Sequence, residues 1–594
     1  MLDLGKLPSL GEALRDAAIT FKSRTALIEA DRHRENGRWS YAELRDQAAA
    51  FGGALQALGF GPGDRCAILM QNQAKWLIGA TGAVWAGATL VPLDYKLTPP
   101  EQHALIAHCK PRVLLTEWPT WEKLSREPGE AFETVLVVVT EAPEGARLGR
   151  ARRFEELASS SAPRVNFTAR AREDVACIVY SSGTGGTPKG CMLTHANYLA
   201  QAEVLGRMYP MAEGDRYFSV LPTNHAIDFM CGFLIPMMMG GTVVHQRTLR
   251  PAYLGATMER YGITHIALVP TILKNLEKKV RERLDDLPKW QRLLVDGLID
   301  VNEFATRREP NHKLSSKLLK PLHAPFGGKL KLIFCGGAFV ERACAEFFNK
   351  IGLPVVIGYG LTEAGTVLTV NDLKPFRGDS VGKPVQGTEV QLRDQNPAGV
   401  GEVWVRGPTV MRGYLDAPEL TADALVDGWL RTGDLGVIDA AGHLKLVGRA
   451  KNMIVTEGGK NVYPEDIETA FTDLTDCEEC CVYAASYVWP TGALGDERLV
   501  LVVRPKSSKT TKKDRDLDDE DDKKTDAPVD DATRLVRLLA ELQARNRRLA
   551  DYKRLAGVVV WDREFPRTAS QKLKREPLAR ELRARIDRGA IREI

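Results

Sequence analysis

The sequence predicts an α/β protein: a large N-terminal domain of several α/β subdomains with covered sheets, then a small α+β C-terminal domain. Three observations point there. Apolar strand-like runs alternate with amphipathic stretches from residue 10 to 120. Two later apolar runs, Val175–Val179 and Val355–Ile357, each end in a glycine-rich segment. A polar stretch, Lys506–Asp531, interrupts the C-terminal part and is followed by a further helix and strand.

At 594 residues the chain exceeds a single compact core, so more than one folding unit is expected. Hydrophobic residues at 44% and charged residues at 27% are ordinary for a globular protein. A formal charge of +4 gives no general reason to bind nucleic acid. The first residues lack the basic-then-apolar order of a secretory signal, and the ten cysteines show no framework spacing. A reducing cytoplasm is the expected setting. Cys477, Cys480 and Cys481 look like half a zinc site without a second half, so they read as structural.

In chain order, Ser40 and Glu43 form a capping-box signature for a helix. Arg65–Met70 follows the turn Gly61–Asp64 and reads as a strand, and Gly87 ends a helix before Thr89–Leu93 re-enters a sheet. Such repeats indicate a largely parallel sheet covered on both faces. Phe229–Val244 is apolar but broken by glycine and proline, so a buried helix leading into a strand is expected rather than a membrane span. Ile266–Val269 reads as a strand closed by Pro270. Leu273, Leu276, Val280, Leu284 and Leu287 then form a helical stripe among lysines and arginines. Packing on the core is the expectation for that helix, with peripheral membrane contact as the other reading. Residues 330–370 read as strand–loop–strand. Lys506–Asp531 is expected to be a disordered surface insertion.

The chemistry is concentrated in short segments. Tyr180–Gly190 holds four glycines, the hydroxyls of Ser181, Ser182, Thr184 and Thr187, and Lys189. Glycines let backbone N–H groups converge on phosphate oxygens, and the lysine adds a positive charge. A flexible hairpin is the plainer reading. Neither a Walker loop nor a dinucleotide fingerprint fits, because Gly190 follows Lys189 and Pro188 occupies the third glycine's place. Gly358–Gly365 sets Tyr359, Thr362 and Glu363 in a glycine-punctuated turn: a ring to stack, a hydroxyl for a phosphate, a carboxylate for magnesium. Gly428–Gly436 reads as a turn offering Asp434. Gly448–Lys451, Gly458–Glu465 and Pro566–Arg575 complete the set.

In this order these motifs resemble the adenylate-forming superfamily: acyl-CoA synthetases, peptide-synthetase adenylation domains and beetle luciferases. The resemblance covers about Gly11 to Leu578. It implies that Ser181, Ser182, Gly183, Thr184, Gly185, Gly186, Thr187 and Lys189 hold the β- and γ-phosphates of ATP. Thr184 and Glu363 would hold Mg2+. Adenine would lie between Gly337–Ala338 and Tyr359–Gly360, with Thr362 at the α-phosphate, and Asp434 and Arg449 would hold the ribose. Lys572 stands at the adenylation lysine's place and His225 beside the acyl carboxylate. Lys451 stands at the hinge of a mobile lid, giving domains 1–450 and 451–594. Gly459 and Lys460 would border the coenzyme A path. Two positions depart from the pattern: Gly185 replaces a usual Thr or Ser, and Gln571 a usual Gly.

The implied reaction is ATP-dependent activation of a carboxylic acid to an acyl-adenylate, then transfer to coenzyme A. The length between Pro270 and Phe326 resembles long-chain fatty-acid enzymes, so a medium- or long-chain acid is expected. The competing expectations are loading of an acyl carrier protein and a non-catalytic nucleotide binder.

Overall fold

The computed structural model describes residues 2–32, 34–126, 132–181, 188–247, 251–455, 461–472, 474–489, 498–506, 530–567 and 573–594. The chain divides into two compact units. One comprises Met1–Gln391, Trp404–Thr432 and Ile438–Lys445, the other Leu392–Val403, Gly433–Val437 and Leu446–Ile594. A five-stranded sheet lies within residues 389–449.

The first unit is built on two large sheets. The nine-stranded one runs Lys383–Pro384, Thr369–Val370, Val355–Tyr359, Leu332–Gly336, His265–Leu268, Arg216–Ser219, Thr242–Gln246, Thr25–Asp31, Arg34–Ser40. Its six central strands, Val355–Tyr359 through Thr25–Asp31, pair in parallel, and antiparallel strands close both edges. The eight-stranded sheet runs Gly413–Tyr414, Lys189–Thr194, Val175–Ser181, Thr89–Pro92, Arg65–Leu69, Val113–Glu117, Leu136–Thr140, Arg152–Arg153. Parallel strands need covered faces, and these are nearly all apolar: Val113–Glu117 and Thr89–Pro92 are buried throughout.

Local chemistry sets the helices that cover them. Ser40 caps Tyr41–Ala57 in a full capping box, its hydroxyl accepting from the Glu43 N–H while the Glu43 carboxylate accepts from the Ser40 N–H. That helix meets Ala74–Trp85 through glycines: a Cβ at Gly52 would come 2.5 Å from the Gly82 carbonyl, so no larger residue permits this approach. Phe229–Leu234 winds as a π-helix, then Ile235–Met239 as an α-helix ending at Gly240, before the strand Thr242–Gln246. The expected buried helix leading into a strand is present, with a wider first turn.

The stripe on Pro270–Asp285 packs as its spacing predicts. Leu273, Val280 and Leu284 are buried, and Leu276 and Leu287 lie partly buried against the same core. Residues 330–370 differ from the expectation: the helix Arg342–Lys350 joins the strands Leu332–Gly336 and Val355–Tyr359. It buries Cys344, Ala345, Phe347 and Phe348. Nine residues offer too few turns for its period to stand out.

The second unit carries a four-stranded sheet, Cys477–Ala484, Leu499–Pro505, Gly557–Val560, Arg592–Glu593. Alternate residues of Leu499–Pro505 face opposite ways. Leu499, Leu501 and Val503 pack with Leu538 and Leu542 of the helix Asp531–Asn546, whereas Val500 and Val502 pack with Leu578 and Leu582 of Arg575–Arg585. Leu499–Pro505 and Gly557–Val560 are parallel, so the chain between them must cross over, and the helix Asp531–Asn546 does so. Residues 507–529 of the expected insertion lie outside the described residues. Cys481 is buried in this core, and Cys477 and Cys480 are partly covered.

Candidate active site

Val175–Ser181 and Lys189–Thr194 are antiparallel neighbours, and Ser181 and Lys189 are their last cross-strand pair. The glycine-rich segment therefore joins two strands of a hairpin, where a Walker loop would open a helix. Ser182, Gly183, Thr184, Gly185, Gly186 and Thr187 lie outside the described residues. Beside the two ends sits a carboxylate. Ser181 Oγ donates to Glu363 Oε1 at 3.1 Å, and the Tyr414 hydroxyl donates to the same oxygen at 3.1 Å. Lys189 Nζ lies 5.1 Å from the centre of the Tyr414 ring. Sequence reading misses Tyr414, which stands 51 residues from Glu363. It arrives because Gly413–Tyr414 pairs with Cys191 and Met192 at the sheet edge. Burial, then the adjacent Glu363 carboxylate, hold its phenol well above the usual range, so it remains a donor.

A second cluster forms at the ends of two parallel strands. Leu332–Gly336 and Val355–Tyr359 run side by side with Gly336 opposite Gly358. A Cβ at Gly336 would come 2.7 Å from the Gly358 carbonyl, so this approach requires glycine. Gly337–Ala338 and Tyr359–Gly360 thus leave the sheet next to one another, beyond the strand C-termini where open α/β sheets take ligands. Tyr359 is the last residue of its strand and is buried, not part of the turn expected for it. Thr362–Ala364 form one 3-10 turn that sets Glu363 toward Ser181. Thr366, a β-branched residue at φ +135°, follows. It is held by a 3.1 Å hydrogen bond from Oγ1 to the Ala226 carbonyl, which ties this turn to the segment carrying His225.

His225 closes the loop Leu221–His225, and its N–H donates to the Pro222 carbonyl at 2.9 Å. Two polar side chains pin that loop. Asn72 accepts from the Thr223 N–H at 2.8 Å and donates to the Leu221 carbonyl at 2.6 Å. Asp228, fully buried, accepts from the hydroxyls of Ser219 at 2.7 Å, Thr223 at 2.9 Å and Tyr217 at 3.2 Å. Burial pushes the Asp228 carboxyl up to about 7, although the three hydroxyls pull the other way. The unfolded chain ionises this group near pH 4. Between about pH 4 and 7 the folded state therefore keeps a proton that the unfolded state releases, and stability falls as pH rises through that window. Asp228→Asn should flatten this dependence, worth at most about 4 kcal/mol. Thermal denaturation of both proteins from pH 5 to 8 checks this: the variant gains on the wild type as pH rises.

In the second unit Arg449 Nε lies 2.6 Å from Asp434 Oδ1, and the Asp434 side chain is largely buried. Asp434 was expected in a turn. It instead lies within the ten-residue strand Trp429–Ile438, next to Gly433 at φ +69°. Lys451 lies in the 3-10 turn Ala450–Asn452, and burial, then Arg449, lower its ammonium pKa. Gly459, Lys460 and Lys572 lie outside the described residues. With the ribose role that the resemblance implies, Asp434→Ala should raise KM for ATP ten- to a hundredfold, since a charge-assisted hydrogen bond is worth about 1.5–3 kcal/mol. KM for the acid should stay within about twofold in the same assay.

The donor set around Glu363 suits magnesium arriving with a triphosphate. Among the described residues no group of three His, Cys, Asp or Glu gathers to hold a metal ion. Mg2+ keeps several waters and takes one or two carboxylates plus substrate phosphates, and Glu363 with a neighbouring hydroxyl meets that need.

Residues 14–415 match the family described as AMP-binding enzyme. A Mycobacterium tuberculosis protein named 3-[(3aS,4S,7aS)-7a-methyl-1,5-dioxo-octahydro-1H-inden-4-yl]propanoyl:CoA ligase is 30% identical over 496 residues, 81% of this chain and 86% of that protein. A Mycobacterium bovis long-chain-fatty-acid–CoA ligase is 28% identical over 449 residues, 72% of each chain. The structure of Bacillus subtilis o-succinylbenzoate coenzyme A synthetase in complex with ATP and magnesium ion shares the fold, with TM-score 0.70 and 24% identity over 96% of this chain and 99% of that one. The chain therefore belongs to the AMP-binding enzyme family, within the adenylate-forming superfamily of acid–thiol ligases.

Proposed function

We propose that this enzyme converts a medium- or long-chain fatty acid to its coenzyme A thioester through an acyl-adenylate, with release of pyrophosphate and AMP. The observation that carries the reading is the meeting of Ser181, Tyr414 and Glu363 where the strands enter the glycine-rich segment, with Lys189 beside them. A carboxylate is a weak nucleophile and a triphosphate repels it. Lys189 and the hairpin N–H groups offset the phosphate charge. Glu363, with Thr184, would hold Mg2+, which supplies further charge neutralisation. An oxygen of the acid attacks the α-phosphorus, the bond to the bridging oxygen breaks, and pyrophosphate leaves. Thr362 and Lys572 bear on the oxygens where negative charge builds up, and His225 orients the acid.

In the second step the coenzyme A thiol attacks the acyl carbon and AMP departs. Gly459 and Lys460 would border the thiol's approach, after rotation of the second unit about Lys451. The mixed anhydride hydrolyses readily, so water must be kept from it; the loop that carries His225 is held in place by Asn72 and Asp228. Two features support a fatty acid over a compact aryl acid: the helical segment from Pro270 to Phe326 and the likeness to a long-chain ligase. A panel of acids from acetate to palmitate, with benzoates alongside, tests the choice by thioester formation. Rising turnover with chain length is the expected result. Activation of only acetyl or aryl groups rejects the fatty acid. Thioester on a phosphopantetheinyl carrier protein but not on coenzyme A moves the acceptor.

A further inference from the structure

The helix Lys289–Thr306 has two apolar faces, and only one is covered. Val295 and Ile299 pack on the core, and Asn302 and Thr306 are buried. On the opposite side Trp290, Leu293, Leu294, Val301 and Phe304 recur at three, four or seven residues and so form one stripe. They stand in solvent: Trp290 is 64% exposed, Leu293 75% and Phe304 68%. The stripe spans about 20 Å at 1.5 Å per residue. Single exposed apolar residues are ordinary, but a continuous stripe on one helix marks a surface that something covers.

The charges around it favour one occupant. Lys289 precedes the stripe. Arg307 and Arg308 follow it, with Arg307 stacked 4.5 Å over the Phe304 ring, and Lys313, Lys317 and Lys320 come next. All six are exposed and join no ion pair among the described residues. The nearby carboxylates are mostly matched. Asp285 and Asp296 bind Arg292, Glu303 binds Lys350 and Glu309 binds Lys374, which leaves Asp286 and Asp300. Trp, Phe and Leu on one face with unmatched Lys and Arg at the ends suit a helix lying in the headgroup layer of an anionic bilayer. There the rings enter the acyl boundary and the long cationic side chains reach back to phosphate. No helix among the described residues is long and apolar enough to cross a membrane, so contact of this kind would be peripheral.

We infer that the outer face of Lys289–Thr306 docks this enzyme on anionic lipid surfaces, through the exposed Trp290–Phe304 stripe and the cations at its ends. The inference does not depend on which acid is activated. Co-sedimentation with vesicles of phosphatidylcholine and phosphatidylglycerol (3:1) tests it, with pure phosphatidylcholine vesicles as the second arm. Wild-type protein should partition onto the anionic vesicles, and 0.5 M salt should reduce that binding. The triple variant Trp290→Glu, Leu293→Glu, Phe304→Glu should abolish it. Arg307→Glu with Arg308→Glu should weaken it at least about tenfold, since each basic residue near such a surface is worth about 1 kcal/mol. Circular dichroism and thioester formation from a soluble acid, both unchanged, show that the variants fold. Equal binding to both vesicle types, or none to either, overturns the inference. So does self-association without lipid, measured by sedimentation velocity and lost in the triple variant, because the occupant would then be a second copy.

Discussion

Glu363→Ala should lower the rate of acyl-adenylate formation by about 10²–10³ fold, as expected when the carboxylate that would hold Mg2+ against the phosphates is lost. Glu363 Oε1 is the one acceptor on which Ser181 and Tyr414 both converge, so the substitution also frees two hydroxyls at the end of the hairpin. Glu363→Gln separates the two effects. Its amide oxygen can still accept both hydroxyls, yet it carries no charge for magnesium. Loss in both variants, with partial recovery at raised Mg2+, assigns the effect to the ion. Loss in Ala alone assigns it to the hydroxyl network. Tyr414→Phe, which keeps the ring beside Lys189, should cost far less, about tenfold or under.

Lys572→Ala should reduce adenylation to a similar extent and leave the second half-reaction nearly intact. The ends of the segment that carries this lysine are fixed. Arg567 pairs with Leu573 across a bridge and with Glu479 at 2.7 Å, and the Lys574 N–H donates to the Pro566 carbonyl at 2.8 Å. The resemblance gives Lys572 the adenylation lysine's place, and with that role its loss removes a positive charge from the developing phosphate charge. Supplying synthetic acyl-adenylate and coenzyme A bypasses the first step. Thioester should then form at close to the wild-type rate. Equal loss in both half-reactions assigns Lys572 a structural role.

What could be read in the sequence was local. The Ser40–Glu43 capping box is a three-residue relation, and the stripe from Leu273 to Leu287 is one helix face, so neighbours in sequence sufficed. Glu363 and Ser181 were recognisable from their motifs. Tyr414 was not, because its partner is set by an edge-strand pairing that no short period encodes. The glycines around Asp434 predict a turn, but cross-strand pairing keeps Trp429–Ile438 extended, with Gly433 alone at positive φ, +69°. Asp228 carries no signal in the sequence, because the three hydroxyls that surround it come from a strand and a loop. The helix Lys289–Thr306 carries apolar residues on both sides, and periodicity alone does not say which side the core takes.

ATP–pyrophosphate exchange, measured with and without a fatty acid, shows whether this enzyme activates an acid on ATP. Exchange should appear only when the acid is present, and Glu363→Ala and Lys572→Ala should each remove it. Exchange independent of any acid, or ATP binding with no exchange across the whole acid panel, would contradict that activity.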